Sequence, residues 1–239
     1  MQIEGRNPVY EALRAGTNLK SISIEQNIKP SSQIESILSL AEQKHIKVKT
    51  VSRSKLNKMS KTGVHQGVIA FGSDINTTSL DTLIKDNKSF LIYIREALYE
   101  HNIGAIIRTA ECVGATGVVL PPKISLTPQI RRAAMGATEH LPVINHNLFQ
   151  TIKDAQKAGL QVVGIERSEN SKKLFSTPLS KPLLLIIGGE DRSLSQEILS
   201  KCDKTLEIPM KGKVNSLNMS VAAAIVMYEV LRQDLGSTS

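Results

Sequence analysis

The pattern of apolar and polar positions predicts a chain of alternating strands and helices. Short, continuous apolar runs such as Phe90–Ile94 and Leu183–Ile187 are typical of strands in a parallel sheet covered on both faces. Between such runs, apolar residues recur at spacings of three and four, as in Ile103–Val113 and Leu148–Ala158, which indicates helices. Similar patterns predict strands at 117–120, 161–165 and 204–208, and helices at 127–136, 195–201 and 217–232. We therefore predict an α/β fold with a parallel sheet from residue 89 onward.

The first 75 residues predict a smaller α/β unit of their own. Helices are predicted at 8–15, 32–44 and 54–60, and short strands at 21–25, 47–51 and 67–71. A polar stretch in which Thr77, Thr78 and Ser79 are grouped together follows, and such stretches are typical of linkers. We therefore predict two domains, residues 1–75 and residues 76–239.

The charge of the chain favours a polyanionic partner. The formal net charge is +8 and the isoelectric point is about 9.5, and neutralising phosphates releases counterions and speeds encounter. Aromatic residues make up only 3% of the chain and Trp is absent, which argues against a nucleic-acid surface built mainly of stacked rings. The charge alone does not distinguish a protein that binds a polyanion from a basic protein that binds none.

The cysteines and histidines indicate neither a disulfide framework nor a metal site. Cys112 and Cys202 are far apart, and the five histidines show no spacing typical of metal ligands. The N-terminus lacks the apolar segment of a signal peptide, and no apolar run approaches the length of a membrane span. We therefore expect a cytoplasmic protein with no metal and no membrane partner.

Two polar blocks follow predicted strands, where parallel α/β sheets carry their sites. The first, Asn102–Thr109, opens a predicted helix and includes Arg108. The second, Ile187–Glu190, runs from an apolar strand into two glycines, which let a ligand approach the main chain, and then a carboxylate. Taken alone, each block is also explained by ordinary helix capping or a tight turn.

The third block, Ile208–Ser220, also follows a predicted strand. Pro209 ends that strand, and Ser216 and Asn218 can cap the last helix while offering polar groups to a ligand. Capping does not explain why so many polar side chains crowd one loop. Neither a GxGxxG fingerprint nor a phosphate-binding GxxxxGK loop occurs, which disfavours a dinucleotide-dependent dehydrogenase.

In this order, the blocks resemble the three motifs of the SpoU (TrmH-type) branch of the SPOUT methyltransferases. Those motifs are N-x-G-x-x-x-R-T/S, then G-x-E after a strand, then I-P-M-x-G-x-V-x-S-L-N-x-S-V-A-A. Residues Ile3–Leu13 also resemble the start of the ribosomal-protein-like substrate-binding domain of many members, so the resemblance covers nearly the whole chain. It implies a SPOUT-type parallel sheet with a deep trefoil knot at its C-terminal end, an exception among protein folds. A small RNA-binding α/β domain would precede that sheet.

The resemblance also implies an activity. The protein is expected to be an RNA ribose-2′-O-methyltransferase that acts as a homodimer and uses S-adenosyl-L-methionine without a metal. The predicted catalytic residues are Asn102, Arg108, Glu190, Ser216 and Asn218. The methyl donor is expected against Ile187, Gly188, Gly189, Glu190, Ile208, Pro209, Met210, Ser216 and Leu217.

Arg108 is expected to act on the 2′-hydroxyl, and two roles stay open for it. An arginine side chain is ordinarily far too basic to accept a proton at neutral pH. It would therefore stabilise the developing alkoxide or, if desolvated, act as the base.

The RNA that is modified is less well defined by the sequence. Family members with the extra N-terminal domain often modify large-subunit ribosomal RNA, so 23S ribosomal RNA is the first expectation and tRNA the second. A non-catalytic RNA-binding protein that retains the fold is the alternative from another class. For RNA docking by the first domain we predict five basic residues: Arg6, Lys44, Lys47, Arg53 and Lys61.

Two positions depart from the family pattern. Residues Tyr99-Glu100-His101 stand where the family commonly has Asp-Pro shortly before the first Asn, and Ser193 stands where a glycine is frequent. Neither departure removes a residue that we assign to chemistry. The first lies in the loop before Asn102, where we expect the choice of substrate to differ.

Overall fold

The computed structural model describes residues 1–73, 78–96, 98–189 and 193–236. The chain forms two compact units. The first contains Met1–Asn76 together with Leu126–His140, and the second contains Thr77–Ser125 together with Leu141–Ser239. The predicted second domain included the whole chain after residue 75, so the assignment of Leu126–His140 differs from the expectation.

Side-chain bonds explain why Leu126–His140 packs with the first unit. Arg131 and Glu139 form a buried ion pair of 3.0 Å, and Thr17 donates a hydrogen bond of 2.7 Å to the same Glu139 carboxylate. Gln129 also donates to the carbonyl oxygen of Lys61 at 2.9 Å. The Thr17–Glu139 and Gln129–Lys61 bonds join residues 122 and 68 positions apart in the sequence, so no local pattern predicts them.

Among its described residues, the first unit has a four-stranded sheet and four α-helices. The strand order is β1-β4-β2-β3, with β4 antiparallel to both its neighbours and β2 parallel to β3. The strands are β1 (Gln2–Glu4), β2 (Leu19–Glu25), β3 (Lys47–Val51) and β4 (Val68–Gly72). The helices are α1 (Arg6–Arg14), α2 (Ser32–Gln43) and α3 (Arg53–Met59), and α6 (Pro128–Ala133) comes from the added segment. Buried aliphatic side chains such as Val9, Ile22 and Ile37 form its core.

The second unit has a seven-stranded sheet in the order β7-β6-β5-β10-β8-β11-β9, in which every pairing is parallel. Its strands are β5 (Phe90–Ile94), β6 (Gly117–Leu120), β7 (Val143–Asn145), β8 (Gln161–Ile165), β9 (Lys172–Lys173), β10 (Leu183–Ile187) and β11 (Lys204–Glu207). Its helices are α4 (Leu80–Leu83), α5 (Glu100–Cys112), α7 (Leu148–Lys157), α8 (Gln196–Leu199) and α9 (Met219–Gly236). The predicted parallel α/β architecture is confirmed. Within the described ranges, no helix is long and apolar enough to cross a membrane.

The register of the central strands brings their carboxyl ends to one edge. Ile187 at the end of β10 pairs with Ile94 of β5 on one side and Ile165 of β8 on the other. All five side chains of β10 and of β5 are buried, as expected for strands covered on both faces. The loops that follow these strands therefore begin side by side.

A buried carboxylate organises one loop of the first unit. Glu4 is completely buried, and its oxygens accept hydrogen bonds from Ser60, from the main-chain N–H of Lys61 and from Thr62. Burial alone raises the pKa of the Glu4 carboxyl, but these hydrogen bonds outweigh it and hold the pKa below its ordinary value. The ionised form of Glu4 therefore stabilises the folded unit.

We expect Glu4→Gln to lower the free energy of unfolding by about 2–3 kcal/mol at pH 7, since an amide group would face N–H and O–H donors. The stabilisation from Glu4 is fully present above its pKa in the unfolded chain and is lost as pH falls through its depressed pKa in the folded chain. Urea denaturation of wild type and Glu4→Gln, at pH 7 and at lower pH values, measures the difference in free energy of unfolding. The exposed Glu42→Gln on α2 is the control, and an equal effect of both variants would contradict the role of Glu4.

Candidate active site

A cavity of about 480 Å³ lies outside the carboxyl ends of β8 and β10. Its walls come from the strand ends with the residues that follow them, from the start of α5, and from the segment that leads into α9. Its lining residues are Tyr99, Asn102, Ile165, Glu166, Ile187, Gly188, Gly189, Ser193, Ser216, Leu217, Asn218, Met219 and Ala222. Volumes of about 300–1,000 Å³ are typical of sites for small ligands.

The cavity gathers residues from all three blocks. Asn102 comes from the first block, Ile187, Gly188 and Gly189 from the second, and Ser216–Asn218 from the third. Segments separated by more than a hundred residues thus meet at one strand edge. That is where ligands bind in open parallel sheets.

Gly188 keeps the wall of the cavity open. A Cβ at this position would meet the Cγ of Leu194 at 3.6 Å and the Oε2 of Glu166 at 3.7 Å, which are ordinary contacts. The surrounding protein therefore does not itself require a glycine here. Its lack of a side chain instead leaves the main chain accessible from the cavity.

An asparagine pair joins the first block to the third. The amide nitrogen of Asn218 lies 3.4 Å from the Oδ1 of the buried Asn102. The Oδ1 of Asn218 accepts the main-chain N–H of Ser220 at 2.9 Å and its hydroxyl at 2.7 Å. Because these bonds occupy the carbonyl oxygen, they turn the Asn218 NH₂ group toward Asn102. Asn218 thus caps the start of α9, as predicted, and also reaches across the cavity.

Arg108 does not line the cavity. It lies on α5 six residues beyond Asn102, which is about 600° of helical rotation, so the two side chains occupy different faces of the helix. Its side chain is exposed and forms no hydrogen bond or ion pair within the part of the chain that the structure describes. The catalytic role of Arg108 stays a prediction.

Several predicted donor-binding residues are also outside the lining. Ile208, Pro209 and Met210 follow β11 but do not face the cavity, and Glu190 lies outside the described residues. Among the residues with described positions, no group of three or more His, Cys, Asp or Glu side chains is placed to hold a metal ion.

Glu166 was not among the site residues predicted from the sequence. This carboxylate follows β8 and lines the cavity; its Oε2 accepts the N–H of Leu194 at 2.8 Å and its Oε1 the N–H of Arg167 at 2.9 Å. It therefore fixes Leu194 against the end of β8. The signal was available, since the strand-end rule applies to the loop after Ile165 as much as to the others.

The predicted RNA-binding residues all belong to the first unit. Arg6 and Arg53 line one groove of that unit, whereas Lys44, Lys47 and Lys61 are exposed residues outside its lining. The structure therefore brings two of the five together.

Residues 89–228 match the sequence profile of the SpoU rRNA methylase family, which is more than half of the chain. The chain belongs to the SpoU rRNA methylase family. The resemblance proposed from the three blocks is thereby confirmed. Residues 2–77 match a second profile, described as RNA 2′-O ribose methyltransferase substrate binding.

Individual SpoU relatives align over almost the whole chain. A protein of Bacillus subtilis (strain 168), named as a TrmH family tRNA/rRNA methyltransferase, is 36% identical over 237 residues, which cover 96% of this chain and 94% of the relative. The crystal structure of an RNA 2′-O ribose methyltransferase superposes with a TM-score of 0.86 at 24% identity, covering 98% of this chain and 89% of the other. An AdoMet-bound rRNA methyltransferase from Sinorhizobium meliloti gives a TM-score of 0.82 at 24% identity, covering 97% and 86%. These two structures share the SpoU fold of this chain.

Proposed function

We propose that the protein transfers a methyl group from S-adenosyl-L-methionine to a ribose 2′-hydroxyl in structured RNA, with 23S ribosomal RNA as the first candidate and tRNA as the second. The observation that carries the proposal is the cavity at the strand ends, which collects residues of all three SpoU motifs. Membership of the SpoU family supports the activity, and the AdoMet-bound relative supports the donor. A cytoplasmic location follows from this choice of RNA.

The cavity suits the donor in size and in the character of its lining. Accessible main chain at Gly188 and Gly189, with apolar surface from Ile187 and Leu217, offers hydrogen bonds at an adenosine edge and contact for its flat faces. When bound, the donor would supply an electrophilic methyl carbon on a positively charged sulfur. The carbon–sulfur bond would break as the bond to the 2′-oxygen formed, the sulfur would leave as a neutral thioether, and the 2′-hydroxyl proton would pass to solvent. Ile208, Pro209, Met210 and Glu190 complete the proposed donor site.

Arg108 is proposed to interact with the methyl acceptor, the 2′-oxygen of the ribose. The Arg108 guanidinium is exposed and offers several N–H donors, which supports stabilisation of the anionic 2′-oxygen and a neighbouring phosphate over proton abstraction. Six residues of helix span about 9 Å along the axis. The ribose therefore lies outside the donor cavity, between the start of α5 and Arg108, with its 2′-oxygen toward the cavity.

The remaining polar residues of the blocks position these groups. The Asn102–Asn218 pair ties α5 to the start of α9, so these two parts of the cavity wall keep a fixed separation. Ser216 offers a hydroxyl at the cavity edge for the ribose or its phosphate. Glu190 is proposed to orient Arg108 or the ribose.

The apolar stripe on α9, formed by Val221, Tyr228 and Leu235, supports a homodimer. These residues recur every seven positions and are 48%, 52% and 65% exposed, although the opposite face of α9 is buried. A helix that is apolar on both faces is typical of one that packs on two sides. A second copy of the chain is the proposed occupant. The deep trefoil knot that the family implies at the C-terminal end stays a prediction.

We expect Tyr228→Glu to weaken self-association by about 30-fold or more, because aromatic side chains at the centre of an interface contribute about 2 kcal/mol. Sedimentation velocity over a range of concentrations measures the change. Gln196→Glu, an exposed position on α8, is the control with the same added charge. A wild-type protein that stays monomeric throughout would contradict the dimer.

Transfer of a labelled methyl group tests the proposed function directly. Purified protein incubated with labelled S-adenosyl-L-methionine is expected to label ribosomal RNA or tRNA, and omission of RNA removes the signal. A folded protein that binds RNA but neither binds the donor nor transfers methyl would support the non-catalytic alternative.

A further inference from the structure

The first unit contains a groove of about 980 Å³ that the methyl-transfer chemistry does not use. It lies where the start of α1, the loop after β2, α3 and the turn before β4 meet. Arg6, Asn7, Arg53, Asn57, His65 and Gln66 are among the residues that line it. The hydrogen bonds of these side chains determine which kind of atom the groove offers to a ligand.

His65 fixes the orientation of Asn57. The Nδ1 of His65 accepts the main-chain N–H of Gly67 at 3.0 Å, so the ring of the neutral histidine carries its proton on Nε2. That Nε2 lies 2.8 Å from the Oδ1 of Asn57 and donates to it. The carbonyl oxygen of Asn57 is therefore occupied, and its NH₂ group has no partner among the described residues.

Two further amides are oriented in the same way. The Oδ1 of Asn7 accepts a hydrogen bond from Gln33, and the Oε1 of Gln66 accepts the main-chain N–H of Arg6 at 3.0 Å. Within the described ranges, the NH₂ groups of Asn7 and Gln66 have no partner either. Three side-chain amides in one groove thus have their acceptor atoms bonded and their donor atoms available.

The cations of the groove add to this pattern. Arg6 is held by bonds from Nε to the carbonyl oxygen of Gln66 at 3.2 Å and from Nη1 to the hydroxyl of Ser31 at 3.3 Å, which leaves its Nη2 available to a ligand. Arg53 and Lys29 also line the groove, against the single carboxylate of Glu25 among its lining residues. The lining is therefore positively charged as well as rich in donors.

We propose that this groove binds the phosphodiester backbone of the RNA substrate, an inference that rests on the proposed RNA methyltransferase function. Phosphate oxygens are anionic and accept hydrogen bonds without donating any, which matches a lining of amide NH₂ groups and guanidinium groups. No Phe, Tyr or Trp is among the lining residues described, and the His65 ring is buried and bonded at both nitrogens, so the groove has no platform for stacked bases. It therefore holds the backbone and positions the RNA without reading its sequence.

Gln66→Glu gives the sharpest test because it replaces only the NH₂ group of the side chain and keeps the oxygen that is already bonded. The glutamate keeps an oxygen for the N–H of Arg6 and places a second, anionic oxygen where the NH₂ group was. Gln43→Glu, an exposed position on α2 outside the groove, introduces the same charge in the same unit. Fluorescence anisotropy with a ribosomal RNA fragment, at several salt concentrations, measures the affinity of the full-length protein.

We expect Gln66→Glu to weaken RNA binding by about tenfold or more, while Gln43→Glu stays within about twofold of wild type. Arg53→Gln, whose side chain is exposed, is expected to reduce the slope of log affinity against log salt by about one, as for the loss of one phosphate contact. Affinity for S-adenosyl-L-methionine, measured by calorimetry, is expected to be unchanged in all three variants.

The outcomes separate this inference from the proposed function. If wild-type protein methylates RNA but Gln66→Glu binds RNA as tightly as Gln43→Glu, the groove assignment is overturned and the activity stands. If Arg53→Gln weakens binding with no change in salt slope, the contact is not with phosphate. Wild-type protein that binds no RNA at all would overturn both.

Discussion

Replacement of Arg108 by alanine is expected to lower kcat for methyl transfer by about a thousandfold while leaving RNA affinity largely intact. The reason is the charge that develops on the ribose 2′-oxygen as it attacks the methyl carbon. Loss of a single group that stabilises such an oxyanion costs about 10²–10³ in rate. The side chain is exposed and has no bonding partner in the described part of the chain, so its removal leaves no buried group unsatisfied.

Single-turnover transfer of labelled methyl, with RNA affinity measured in parallel, separates this role from binding. Lys157→Ala, an exposed basic position on α7 of the same unit, is the control for loss of one surface charge. A rate for Arg108→Ala within threefold of the rate for Lys157→Ala would contradict the assignment. A loss of RNA affinity with an unchanged rate would make Arg108 a binding residue only.

Asn218→Ala is expected to lower the rate of methyl transfer by about a hundredfold. Loss of the contact with Asn102 lets α5 and the start of α9 shift relative to each other. Small misplacements of reacting groups lower a rate by about that factor. The same substitution removes the cap on Ser220 and is expected to cost about 1 kcal/mol of stability.

Asn218→Asp separates the two effects. An aspartate keeps an oxygen for the N–H and hydroxyl of Ser220 but has no NH₂ group to donate to Asn102. Asn218→Asp should therefore melt like wild type and transfer methyl as poorly as the alanine variant. Full activity in Asn218→Asp would show that the residue serves only to cap α9.

The parallel sheet could be predicted from the sequence because its central strands are buried on both faces. Runs such as Phe90–Ile94 and Leu183–Ile187 are short and are bounded by polar, Pro or Gly residues, which favours strands over buried helices. The observed strands have the same bounds. Short edge elements could not be found this way. The two-residue β9 and the three-residue β7 are too short to show any periodicity.

The candidate site was predictable as far as it depends on strand ends. The rule that loops after parallel strands meet at one edge brought Asn102, Gly188 and Asn218 into one hypothesis, and the cavity contains all three. The direction in which each side chain of α5 points depends on the residue at which that helix begins. Because α5 starts at Glu100, Asn102 points into the cavity and Arg108 does not.

Long-range polar contacts could not be predicted from the sequence. Glu139 binds Thr17 and Arg131, which fixes the segment Leu126–His140 to the first unit, and nothing in the local pattern of that segment indicates it. The orientation of the amide groups that line the groove of the first unit could not be predicted either. Their orientation depends on hydrogen bonds between residues as far apart as Arg6 and Gln66.

The chemical position of the transferred methyl group distinguishes ribose methylation from base methylation. RNA labelled by the purified protein with S-adenosyl-L-methionine can be hydrolysed in alkali, which cannot cleave a linkage next to a 2′-O-methylated ribose. If the protein methylates ribose 2′-hydroxyls, the label will be recovered in alkali-resistant dinucleotides and, after enzymatic digestion, in a 2′-O-methylnucleoside. Recovery of the label in nucleosides methylated on the base, with none on the ribose, would contradict ribose methylation.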